Sequence, residues 1–228
     1  MYIQDAEWRF IVNPAEKREE TYNLIETIGR TCYQSEVKDI PDHGAKFVRQ
    51  IVKRGHLGLL EHVNMTIEFL VDRGTTHEIV RHRHASFAQE STRYCNYSKG
   101  KFEYAITVIN IDTALETDPL TKDMSPEEKM AIWLEWRDGC KDAEKHYFRM
   151  LELGASPQIA RGVLPTSLKS ELKMTANLRE WRHFFALRAL ELTGPVHPQM
   201  LEVAWPVYVA CLRNLPEVFD GIGPKDVE

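Results

Sequence analysis

Between residues 63 and 71 the chain places Val63, Met65, Ile67, Phe69 and Val71 at every second position, with polar or smaller residues between them. Side chains of an extended chain alternate between two faces, so this run predicts a strand with one face on a core, and such a strand needs partners. Around it the apolar period is helical. Residues 15–33 carry Tyr22, Ile25 and Cys32 at helical spacing, and Phe47, Ile51 and Val52 mark a second, short helix. Residues 125–153 open on Ser-Pro-Glu-Glu, a helix start, and run to Gly154, a stop. Pro157 starts a short helix to about Val163, residues 175–192 form another, and Pro198 opens a last one ending before Pro216. A second strand is expected over residues 102–109, while residues 112–128 carry no motif and read as a surface excursion. Long helical segments separate the strands, which predicts an α+β fold with a small, mostly antiparallel sheet packed with several helices. No repeat, low-complexity tract or linker divides the 228 residues, so 1–228 reads as one domain with one substantial core.

The charge distribution narrows the ligand. A net charge of −5 argues against a general nucleic-acid binder. Residues 73–101 nevertheless hold six Lys or Arg against two acids, Glu78 and Glu90, with His77, His82 and His84 interleaved. A positive island in an acidic chain points to an anion of limited size, such as a phosphorylated small molecule; the plain alternative is a solvated basic helix face. The four cysteines are widely and irregularly spaced without a C-x-x-C pair, which predicts free thiols rather than a zinc site or disulfides. No apolar run approaches the roughly 20 residues of a membrane helix, and the opening MYIQDAEWRF has no signal-peptide pattern, so the expected location is the cytoplasm.

The island contains Arg81-His82-Arg83 and, after seven residues, Ser91-Thr92-Arg93. A helix capped by Thr75 or Thr76 and running to about Ala85 would place His77, Arg81 and His84 on one face and turn Arg83 roughly 200° from Arg81. The two arginines then cannot grip one phosphate: either the helix ends between them or they serve different ligands or chains. Past Ala85 the period is lost, and Ser86, Gln89, Ser91 and Arg93 read as a polar loop of hydrogen-bond donors suited to a nucleotide.

Arg-His-Arg, seven residues, Ser, one residue, Arg resembles the signature of the flavin-dependent thymidylate synthases, and Arg81, His82, Arg83, Ser91 and Arg93 fit it without a gap. The resemblance implies that Arg81, His82 and Arg83 lie against FAD, and that Glu78, Arg81, Gln89, Glu90, Ser91 and Arg93 receive dUMP, with Gln89 also near the flavin. Gly55-His56 with Glu61-His62 looks like the family's G-H-x-x-x-x-E-H element, which brings His56 and Gly58 to the flavin. Gly58 stands where a serine or threonine is expected, Glu78 is often a glutamine in relatives, and Gln89 is often a glutamate. Asn177, Arg179 and His183 match flavin contacts, and Arg161 matches a dUMP-binding arginine. The matched motifs run from about His56 to Arg188, over half of the chain.

Arg188 also stands out on physical grounds. On a helix from Asn177 to Leu192, the residues Trp181, Phe184, Phe185 and Leu192 form the apolar stripe, and Arg188 falls in its middle. A guanidinium facing a core needs a partner, either a structural carboxylate such as Glu191 or Glu202, or a ligand. The resemblance favours the ligand, placing Arg188 against the uracil ring as the catalytic cation. The implied reaction converts dUMP to dTMP with 5,10-methylenetetrahydrofolate as carbon donor and FAD, reduced by NADPH, as hydride source, in a homotetramer with sites at subunit contacts. Ser91 reads as a hydrogen-bond donor to dUMP rather than a nucleophile, since no histidine is placed by sequence to deprotonate it. No G-x-G-x-x-G motif is present, so FAD must occupy a cleft of another kind than a Rossmann site. Two rival classes have less behind them. A metal-dependent hydrolase would draw on His56, Glu61, His62, His77 and His82, but His82-x-His84 is the lone standard pairing. A nucleic-acid-binding module would use residues 73–101, with Phe87, Tyr94 and Tyr97 as stacking platforms, against the overall acidity.

Overall fold

The computed structural model describes residues 1–32, 34–36 and 42–227. In chain order the elements are β1 (Tyr2–Gln4), β2 (Glu7–Val12), α1 (Arg18–Thr31), α2 (His43–Arg54), β3 (Asn64–Asp72), α3 (Arg73–Ile79), β4 (Ala85–Gln89), β5 (Thr107–Ile109), α4 (Asp112–Thr117), α5 (Pro126–Glu152), α6 (Pro157–Ala160), β6 (Lys169–Asn177), α7 (Leu178–Arg188), α8 (Pro198–Asn214) and α9 (Pro216–Phe219). Short 3-10 turns precede α1 (Pro14–Lys17) and β3 (Leu57–His62) and follow α6 (Arg161–Val163). The α+β expectation holds: one sheet is antiparallel in the order β2-β3-β6-β4, and β1 pairs with β5 in a small parallel one.

The alternating run is β3, one of the two inner strands. Its inner face (Met65, Ile67, Phe69) pairs in register with Ala176, Met174 and Leu172 of β6 and packs on Trp181, Phe184 and Phe185 of α7. Phe69, Trp181, Phe184 and Phe185 have no exposed surface, and burying each such side chain contributes about 1.5–3 kcal/mol relative to leaving it in water. The Trp181 indole N–H donates to the Met65 carbonyl at 3.1 Å, which fixes α7 along the sheet. The opposite face carries a charge ladder, in which Glu68 lies opposite Arg9 on one side and Lys173 on the other.

Several helices follow the sequence reading. Ser125 and Glu128 form a reciprocal cap at the start of α5, and α8 ends before Pro216. Tyr33, the expected end of α1, lies outside the described residues. Several expectations are corrected. Asp72, not Thr75 or Thr76, caps α3, and the helix stops at Ile79, before both arginines of the triplet. The expected polar loop begins as strand β4, at the sheet edge; Ala, Ser and Gln around a single Phe87 carry little strand signal. The helix expected from residue 175 begins at Leu178, because residues 169–177 form β6. Its Leu, Lys, Glu, Met and Ala are good helix formers, but hydrogen bonding to strands on both sides overrides propensity. Finally, residues 112–128 are not a bare excursion: α4 packs on α8 and buries Leu115. The strand expected over 102–109 shortens to β5, and β1 and β2 carry no earlier assignment.

Candidate functional site

Asn177 ends β6 and caps α7 in the same residue, its Oδ1 accepting the Glu180 backbone N–H at 2.8 Å. The strand therefore passes into the helix without a loop, and α7 presents its side chains in fixed directions. Arg179 and His183, four residues apart, share one face. They line an open groove of about 400 Å³ with Leu57, Glu61, His84, Lys225 and Asp226. Arg179 pairs with Glu61 at 2.7 Å, and both side chains remain about half exposed. His183 Nδ1 lies 2.8 Å from the Asp226 carbonyl oxygen. A carbonyl only accepts, so Nδ1 carries a proton; in the neutral ring Nε2 is then an acceptor. The Asn177 side-chain amide, with its oxygen used in the cap, keeps its N–H donors for a ligand.

Arg188 is the last residue of α7, at helical spacing from the aromatic stripe. Its side chain is 22 % exposed, its Nη1 is 2.9 Å from Glu78 Oε2, and its Nε is 3.3 Å from His82 Nε2. The carboxylate partner is thus Glu78 of α3 rather than Glu191 or Glu202. His82 is buried, with Nδ1 3.2 Å from Glu180 Oε1 and its ring against Phe184. Burial disfavours the imidazolium and lowers the His82 pKa; Glu180 opposes this, while Arg188 and His183 reinforce it. Arg81 and Arg83 flank it with exposed side chains. Among the described residues, one group of three potential metal ligands converges, His82, Glu180 and His183. Both His82 nitrogens are already engaged there, one with a guanidinium, so the cluster is arranged around a fixed cation. His56, Glu61, His62 and His77 do not join it.

A second cluster lies beyond the far end of β4, whose five residues span about 13 Å. Ser91 opens a turn, its Oγ accepting the Arg93 backbone N–H at 3.3 Å. Arg161 Nη1 donates to Thr92 Oγ1 at 3.2 Å, and Arg93 lies over the Tyr94 ring, leaving two exposed guanidinium groups around Ser91. Glu90 is braced by Lys169 at 2.9 Å and by the Tyr97 hydroxyl at 3.2 Å. The Gln89 amide donates to Thr76 Oγ1 and Ser170 Oγ, so its nitrogen is spent inside the sheet edge. No hydrogen bond or ion pair among the described residues joins this cluster to Arg188. His56 and Gly58 line a separate pocket of about 320 Å³ with Gly29, Cys32 and Phe47.

Of the expected site residues, the structure therefore gathers Asn177, Arg179 and His183 in one groove, Glu78, His82 and Arg188 in one cluster, and Ser91, Arg93 and Arg161 in another. Sequence reading missed Glu180, Lys225 and Asp226. Glu180 gives a local signal as the third residue after a capping asparagine, whereas Lys225 and Asp226 reach the groove only through tertiary packing.

Fold and site define an α+β protein with a polar groove and separated arginine clusters of small-molecule size. The family model described as thymidylate synthase complementing protein matches residues 15–217. A flavin-dependent thymidylate synthase of Corynebacterium glutamicum is 32% identical over 94% of this chain and 82% of its own length, and that of Mycolicibacterium vanbaalenii is 34% identical over 86% and 77%. A crystal structure of a UMP/dUMP methylase, PolB from Streptomyces cacaoi, bound with 5-Br dUMP, shares the fold with a TM-score of 0.74 at 23% identity, covering 96% of both chains. The chain belongs to the flavin-dependent thymidylate synthase family.

Proposed function

We propose that this chain, as a single domain over residues 1–228, converts dUMP to dTMP, taking the carbon from 5,10-methylenetetrahydrofolate and reducing equivalents from NADPH through FAD. The observation that carries the reading is the Arg188–Glu78 pair. Uracil presents an imide edge, two carbonyl oxygens that accept and an N–H that donates. Guanidinium N–H groups beside a carboxylate oxygen complement that edge, and family membership supplies the reaction.

The groove residues fit a flavin dinucleotide by their chemistry. Arg179, Lys225 and His84 offer cationic or donor groups for a pyrophosphate, Asn177 a donor, His183 Nε2 an acceptor and Leu57 an apolar contact. A reduced flavin supplies the hydride that turns a methylene into a methyl group. Arg188 holds a positive charge at the pyrimidine edge, where negative charge develops when C5 attacks the carbon donor. Donors oriented in advance need no reorganisation during that step. Ser91, Arg93 and Arg161 would take the nucleotide phosphate, with Ser91 as a donor. In this reading each dUMP site is completed by two chains, Arg188 and Arg81 from one and Ser91, Arg93 and Arg161 from another, in a cytoplasmic homotetramer; the absence of a direct bond between the two clusters among the described residues is compatible with this. No described helix is long and apolar enough to cross a membrane.

Visible absorption tests the cofactor assignment. The purified protein, or protein titrated with FAD, is expected to show the bands of bound flavin; protein that is colourless and fails to bind added FAD overturns the reading.

A further inference from the structure

We propose that Glu180 is a positioning residue for Arg188, acting through His82: its carboxylate holds the proton on the Nδ1 side of the imidazole, so that the bare Nε2 can hold the guanidinium. This inference rests on the reading of Arg188 as the charge beside the pyrimidine.

Every polar hydrogen of a guanidinium is a donor, and it has no acceptor. The Arg188 Nε–H, 3.3 Å from His82 Nε2, therefore requires a lone pair on Nε2. A neutral imidazole has one N–H and one lone pair, so its proton sits on Nδ1, which faces Glu180 Oε1 at 3.2 Å. The other tautomer fails at both ends, setting N–H against N–H at Arg188 and a lone pair against the carboxylate. One proton placement satisfies both contacts, and Glu180 selects it.

The surroundings enforce this arrangement. His82 is 4% exposed and Glu180 7%, so water cannot readily replace either contact. The imidazole packs against Phe184 at 4.9 Å and edge-on to His183 at 5.6 Å, which fixes its plane. Asn177 caps the Glu180 backbone and fixes where its side chain begins. At the far end, Arg188 Nη1 meets Glu78 Oε2 at 2.9 Å and Nη2 meets the Glu78 carbonyl at 3.5 Å. With Nε, one Nη1 and one Nη2 hydrogen engaged, one N–H on each terminal nitrogen remains for a ligand. Glu180, through His82, thus sets the rotation of the guanidinium and the direction of those two donors. The low affinity of buried His82 for a second proton agrees with this, since an imidazolium would face Arg188 with like charge.

Two measurements test the proposal. In protein labelled with 15N-histidine, with the His82 signals assigned by their loss in His82→Gln, wild type should show protonated Nδ1 and bare Nε2; protonation at Nε2 overturns the proposal. In the second, Glu180→Gln keeps an oxygen that accepts from Nδ1–H and should stay within about threefold of wild type in kcat/KM for dUMP. Glu180→Leu, of similar size without an acceptor, should lose about ten- to a hundredfold. FAD affinity and melting temperature are followed in both variants to separate positioning from general damage. Wild-type kcat/KM in Glu180→Leu, or equal losses in both variants, overturns the proposal, and if the leucine variant does not fold, the tautomer in wild type decides. Wild-type turnover in Arg188→Ala would instead refute the underlying role of Arg188, an outcome distinct from a wrong tautomer.

Discussion

Replacing Asp226 should loosen the wall of the groove from a residue that the sequence alone does not mark. Arg182 and Asp226 have no exposed side-chain surface, and their pairing is bidentate, with Nε to Oδ1 at 2.6 Å and Nη2 to Oδ2 at 2.9 Å. Arg182 also donates to the carbonyls of Val218, Asp220 and Gly221, and Asp226 Oδ2 accepts the Gly223 N–H at 2.9 Å. The neighbouring His183 grips the Asp226 carbonyl, and Lys225 donates to the Val52 carbonyl at 2.8 Å. Removing one partner of a buried ion pair costs about 3–5 kcal/mol, because the other charge stays buried. Three carbonyls still solvate Arg182, which places Asp226→Ala near the low end, about 3 kcal/mol. Asp226→Asn keeps one acceptor and should cost about 1.5–3 kcal/mol, the range for a hydrogen bond to a charged group. A domain with roughly 5–15 kcal/mol of stability stays folded in either case. Urea unfolding followed by circular dichroism measures the loss, and FAD titration should show weaker binding as His183, Lys225 and Asp226 lose their places. A change under about 0.5 kcal/mol for Asp226→Ala, with unaltered FAD affinity, would refute the reasoning.

Two further outcomes follow from the site. Because the folded-state pKa of His82 lies below its ordinary value of 6.5, its stabilising contribution is fully present above about pH 6.5 and is lost as pH falls from there towards the folded-state value. Stability measured from pH 7 to 5 should therefore decline less steeply in His82→Gln than in wild type; parallel curves would contradict this. Co-refolding Arg188→Ala with Arg93→Ala subunits should restore about a quarter of wild-type activity if two chains build each site by an isologous pairing, since half of the contacts are mixed and half of their sites whole. Verified mixed oligomers with no recovery above the separate mutants would place both arginines in one chain's site.

What could be read in advance followed the range of the forces involved. The alternation of β3, the capping residues of α5 and the proline at the head of α8 are local signals, and each element formed there. Strands β4 and β6 depend on partners distant in sequence: Ala88 pairs with Lys173, which adjoins Glu68 on the next strand; β4 has one large apolar residue, and β6, although Leu172, Met174 and Ala176 alternate, is built largely of helix-forming residues. The same distinction holds at the site. The stripe of α7 exposed Arg188 as anomalous because its neighbours at helical spacing are aromatic. It could not name Glu78 as the partner, 110 residues earlier, nor reveal that Arg182, off the stripe, is the fully buried arginine. That burial depends on Asp226, 44 residues further on, for which no local pattern exists.

Product formation tests the proposed activity most directly. Incubated with dUMP, 5,10-methylenetetrahydrofolate, NADPH and FAD, the protein should form dTMP and oxidise NADPH in equal amounts, with product lost on omission of dUMP, 5,10-methylenetetrahydrofolate or NADPH, or of FAD from protein first stripped of flavin, and nearly abolished in Arg188→Ala, a loss of about 2.7–4 kcal/mol in transition-state stabilisation. Bound flavin without dTMP under these conditions, or dTMP formed at the wild-type rate by Arg188→Ala, would contradict it.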